Sequence, residues 1–100
     1  MPASLPRGRP TGSTTFDPAV AASFGKAVVE LRTAQGMSQL ALALESSIER
    51  AHMGRIERGE RIPNLVAIIK IAKALRCSAT ALVEQFECQM TAEHGGAAKR

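Results

Sequence analysis

Between residues 18 and 86 the apolar positions recur at intervals of three and four, and short polar stretches carrying Gly, Ser, Pro or Asn interrupt them. Val20, Phe24, Ala27, Val28 and Leu31 form one stripe, which predicts a first helix from about Pro18 to Gln35. Asp17 can accept the unpaired amides of its first turn, Pro18 suits the first helical position, and Phe16 can pack back from outside. Gly36 supplies the left-handed stop. Ser38 then caps a short helix, "QLALALES", with Leu42 and Ala43 inward, and Ser46 and Ser47 break it. A third helix from Glu49 to Arg58 turns Met53 and Ile56 toward the core and ends at Gly59. "ERIPN" is a loop, because Pro63 forces its predecessor out of the helical region, and Asn64 can cap the next helix. That fourth helix, Leu65 to Leu75, places Leu65, Ile68, Ile69, Ala72 and Leu75 on one side, with Lys70, Lys73 and Arg76 toward its negative pole. Ser78 caps a fifth helix through about Phe86, with Leu82 and Phe86 one turn apart.

Outside this periodic span the chain changes character. Residues 1–15 hold three Pro, two Gly and one Leu, too little apolar surface to fold, so they are expected to form a disordered arm. From Gln89 onward no period is sustained, and a flexible tail is expected over 89–100. That leaves 16–88 as one domain. Forty-five per cent of the residues are hydrophobic but only three, all Phe, are aromatic, which favours an all-α core over a sheet. Cys77 and Cys88 stand eleven positions apart with no CxxC pair and only two His in the chain, so neither a zinc site nor a disulfide framework is expected. No cofactor or small-molecule ligand is evident. No apolar run approaches a membrane span or a secretory signal, so the expected location is cytoplasmic.

Charge sharpens the picture. The formal net charge is +4, but residues 50–76 alone carry seven Lys/Arg against two Glu. A local excess of this kind favours an anionic partner, nucleic acid before membrane. Two short helices joined by a tight turn, each marginal alone, are an arrangement in which the first steadies the second against an external surface. With helix 49–58 in a major groove, Arg50 and Arg55 could each reach guanine O6 and N7 through the planar guanidinium, Glu49 could accept from a cytosine amino group, and Ala51 could touch a thymine methyl. Periodicity alone leaves the alternative of a solvated cationic face open.

This chain resembles the Cro/cI-type helix-turn-helix family, also called XRE-type or lambda-repressor-like. "LRTAQGMSQLALA" is similar to the family's first half and "MGRIERGERIPNLVAIIKIAKAL" to its second, over about residues 22–83. The resemblance implies a compact five-helix all-α domain with the helix-turn-helix at 39–58. It further implies base contacts from Arg50, Ala51 and Arg55 and backbone contacts from Gln39, Arg58, Arg61 and Asn64; Glu49 is counted with the first group on its own chemistry, and Ser38 with the second. Arg32 and Glu57 match a structural ion pair joining the first helix to the end of the third. His52 is either one more phosphate donor or a half-exposed helical residue. Three positions depart from the pattern. Ser47 stands where Gly is usual, Glu49 where a Ser/Thr cap is usual, and Gly54 interrupts the recognition helix at about 1 kcal/mol relative to Ala, bare enough to admit a sugar-phosphate wall.

In the arm, "PRGRP" offers Arg7 and Arg9 around Gly8, similar to the core of a minor-groove AT-hook; the alternative is ordinary charge attraction from an unstructured arm. The expected function is sequence-specific double-stranded DNA binding by a small transcriptional regulator, a repressor, with no enzymatic activity. One helix reads few base pairs, so a homodimer through the fifth helix and tail is expected, using Leu82, Val83, Phe86 and Met90. The rival reading is a protein-interaction adaptor or antitoxin-type module on the same fold.

Overall fold

The computed structural model describes residues 16–93, which form five helices and no strand: α1 (Pro18–Ala34), α2 (Gln39–Ser46), α3 (Arg50–Glu57), α4 (Leu65–Ala74) and α5 (Ala79–Glu93). The arm with Arg7 and Arg9, and the residues beyond 93, lie outside the described residues. Four helix starts carry the side-chain caps expected of them. Asp17 Oδ1 accepts from the Ala19 amide at 3.0 Å, Ser38 Oγ from Ala41 at 3.0 Å, Asn64 Oδ1 from Ala67 at 2.8 Å and Ser78 Oγ from Ala81 at 3.0 Å. Helix α3 is the exception, since Glu49 precedes it and makes no side-chain cap. Its start is fixed instead by the turn before it. Ser47 adopts φ 58°, a conformation that strains a side chain, and the Ile48 amide donates back to Ala43 O at 3.0 Å.

The core is aliphatic. Val28, Leu42, Met53, Ile56, Ile71, Leu75 and Leu82 are fully buried, so each of the five helices contributes at least one side chain. Phe24 and Phe86 meet edge to face with ring centroids 5.9 Å apart, closing α1 on α5. Where α1 crosses the end of α3 the approach is too close for any side chain. A Cβ on Gly25 would collide with Glu57 O and come within 2.6 Å of Ile56 O, both rigid backbone atoms.

Two helices differ from the sequence expectation. In α4 the inward face is Ile68, Ile71, Ala72, Ala74 and Leu75, while Leu65 and Ile69 point outward with 69% and 44% of their surface exposed. The run "LVAIIKIAKAL" is apolar nearly all round, so spacing alone could not orient it, and packing against α2 and α5 decides. Helix α5 continues past Phe86 and through Gln89 to Glu93. Its weak intrinsic periodicity is overridden by the long contact with α1, which includes Gln85 Nε2 donating to Glu30 Oε1 at 3.1 Å.

Candidate nucleic-acid interface

The helix α3 has two opposite characters. Met53 and Ile56 are fully buried, whereas Glu49, Arg50, Ala51, Arg55 and Arg58 are exposed and His52 is half-buried. The eight-residue rod is about 12 Å long, close to the width of a B-DNA major groove. A trough runs along each flank. On one side Gln39, Arg50, Ala51, Gly54, Arg55 and Arg58 line a cleft of about 360 Å³. On the other, Ser47, Ile48, Glu49, His52, Asn64, Val66, Ala67 and Lys70 line one of about 330 Å³. A ridge bearing guanidiniums between two troughs is the complement of a groove between two phosphate walls.

Two carboxylates beside this ridge, Glu57 and Glu60, are paired with arginines. Glu57, with 4% of its side chain exposed, accepts from Arg32 Nε at 2.8 Å and Nη2 at 2.9 Å, and from Gln39 Nε2 at 2.8 Å. Arg32 also donates from Nη1 to Met37 O at 3.0 Å, so one guanidinium joins α1, the entry to α2 and the end of α3. One proton of Gln39 Nε2 is therefore engaged inside the protein, and the other remains as a donor. Glu60 pairs with Arg58, Nε to Oε2 at 2.9 Å and Nη2 to Oε1 at 3.3 Å. The hydrogen bond from Arg58 holds the Glu60 carboxyl below its ordinary pKa, and the same bond pushes the guanidinium up.

The residues named from sequence do not all occupy one place. Arg50, Ala51, Arg55 and Arg58 gather with Gln39 in the first trough, while Glu49, His52 and Asn64 fall in the second. Arg61 is exposed in the loop between α3 and α4. Ser38 and Asn64 have their oxygens committed to helix caps, which leaves the hydroxyl proton of one and the amide protons of the other as donors. Two features escape a reading of the sequence. Lys70 reaches the second trough from α4, and Glu60 masks one edge of Arg58; neither has a periodic signature, because both meet α3 only through the tertiary fold. The space at Gly54 is also not open, for the Arg58 guanidinium fills it.

Comparison with known proteins agrees with this fold. A family model described as helix-turn-helix, HTH_3, matches residues 28–82. The restriction-modification controller protein C.AhdI from Aeromonas hydrophila is similar with a TM-score of 0.62 and 44% identity, over 64% of this chain and 97% of its own. The clp gene regulator ClgR from Corynebacterium glutamicum shares the fold at a TM-score of 0.73 and 18% identity, over 77% of this chain and 82% of its own. The controller protein C.Esp1396I, solved as a tetramer with its natural 35 base-pair operator, shares it at 0.66 and 24% identity, over 71% and 93%. Curated protein sequences gave no match. With the family model covering more than half of its length and five helices in the matching arrangement, the chain belongs to the XRE-type, lambda-repressor-like helix-turn-helix family.

Proposed function

We propose that the protein is a sequence-specific double-stranded DNA-binding transcriptional regulator that acts as a repressor by occupying its operator, with α3 in the major groove. The observation that carries this reading is the grouping of Arg50, Arg55 and Arg58 around one trough on the outward side of a helix whose inner side is locked by Met53 and Ile56. Arg50 and Arg55 read guanine O6 and N7, Glu49 and Ala51 flank them, and Ser38, Gln39, His52, Arg58, Arg61 and Asn64 meet the phosphates. Membership of the helix-turn-helix family and likeness to controller and gene-regulator proteins support the same reading.

The protein acts as a homodimer on half-sites about 34 Å apart, because eight helical residues read too few base pairs to address a unique site. Of the α5 residues expected at the seam, Leu82 is fully buried and Phe86 is packed on Phe24, so the exposed Val83 supplies its α5 part. Leu65 and Ile69 on α4 expose further apolar surface suited to a second copy.

Selection of bound duplexes from a random pool, followed by titration at several salt concentrations, tests the proposal. The expected result is one preferred sequence with dyad symmetry and an affinity that falls steeply with salt. Weak, sequence-blind binding would instead favour a protein-interaction module.

A further inference from the structure

Arg58 lies just beyond the last turn of α3, where a long side chain would ordinarily sweep through solvent. Here two of its nitrogens are hydrogen-bonded and the third lies over α3. A Cβ on Gly54 would stand 2.9 Å from Arg58 Nη1 and 3.8 Å from Cζ, so the guanidinium rests on the bare backbone of α3. Glu60 takes the other side, accepting from Nε at 2.9 Å and from Nη2 at 3.3 Å. The edge formed by Nη1 and the second proton of Nη2 is left to the trough that Gln39, Arg50, Ala51 and Arg55 complete, and the side chain keeps 60% of its surface exposed. The neighbouring carboxylate of Glu57 is already taken by Arg32 and Gln39.

We infer that Gly54 and Glu60 are positioning residues that seat Arg58 across the recognition helix, so that its free edge clamps one DNA phosphate in the trough between α2 and α3. The inference rests on the DNA-binding function proposed above. It explains why a residue unfavourable to a helix occupies the centre of α3: the glycine is a slot for a guanidinium, and the recognition helix gains a cation that its own sequence does not contain. A guanidinium edge meets a phosphate with two parallel hydrogen bonds, and a side chain already fixed loses less freedom on binding.

A mutant cycle tests it. Gly54→Ala, Arg58→Ala and the double variant are titrated by fluorescence anisotropy against a selected operator and a random duplex, at several salt concentrations, with thermal unfolding in parallel. Gly54→Ala is expected to raise the unfolding midpoint, since alanine favours the helix and only a flexible side chain must move, yet to weaken binding to both duplexes about three- to tenfold. Arg58→Ala is expected to weaken both duplexes alike and to lower the salt slope by about 0.9. The double variant should bind no more weakly than Arg58→Ala alone.

The inference is overturned if Gly54→Ala binds like wild type, or if it weakens binding as much in the Arg58→Ala background, because the methyl would then be acting on DNA directly. It is also overturned if Arg58→Ala erases preference at one base pair while leaving random DNA untouched, since Arg58 would then read a base. A wild-type protein without salt-dependent duplex binding would remove the DNA-binding function itself, an outcome distinct from either.

Discussion

Arg55 and Glu57 are two positions apart on a short helix and have opposite duties. Arg55 points outward into the trough, and its replacement by Ala should cost about 1–3 kcal/mol of discrimination at one base pair while leaving the fold intact, measurable as a flattened preference in competition titrations. Glu57 is buried against Arg32, so Glu57→Ala would strand a guanidinium 14% exposed and is expected to destabilise the fold by about 3 kcal/mol in chemical denaturation. The cysteines differ likewise. Burial pushes the half-buried Cys77 thiol up in pKa, whereas Cys88 is exposed on α5, so brief alkylation at neutral pH should label Cys88 well before Cys77 in an intact-mass assay. Equal labelling would mean that α4 and α5 separate readily at their joint.

Among the helices, the tightest geometric demand falls on the crossing of α1 and α3. Gly25→Ala places a methyl against the carbonyls of Ile56 and Glu57, which cannot yield without displacing α3, and a loss of about 2–4 kcal/mol in stability is expected together with lost DNA binding. That contrasts with Gly54, where a side chain and not a backbone stands in the way. The sequence displayed where four of the helices start, because Asp17, Ser38, Asn64 and Ser78 are local signals acting within three residues of themselves. It also displayed the buried side of α3, because Met53 and Ile56 are the only long apolar residues there. What stayed hidden is tertiary. Leu65 and Ile69 look as apolar as Ile68 and Ile71, so only the position of α2 and α5 tells which pair is inside. The extension of α5 to Glu93 depends on α1 offering a surface to lie on, and no local period announces that. In the same way the outward arginines were legible as a group, while the partnership of Arg58 with Gly54 and Glu60 was not.

At the level of the assembled protein, five short helices with an aliphatic core hold one cationic ridge at a fixed height above two troughs. Positive charge is concentrated on the segment 50–76, where seven Lys/Arg stand against two Glu, so this part of the chain is more basic than the net charge of +4 suggests. Exposed Leu65, Ile69 and Val83 leave apolar area for a second copy. Sedimentation with operator DNA should find two chains per duplex, and Val83→Glu on α5, away from both troughs, should reduce that to one with weaker binding. A monomer saturating a full operator would remove the dimer from the proposal.

Guanine methylation interference reports on the groove itself, because N7 of guanine faces only the major groove. Methylation of specific guanines in each half-site is expected to block binding, and Arg55→Ala is expected to abolish the block at one of them while the others persist. Binding that tolerates N7 methylation throughout the operator, or that Arg55→Ala leaves with the wild-type interference pattern, would contradict the placement of α3 in the major groove.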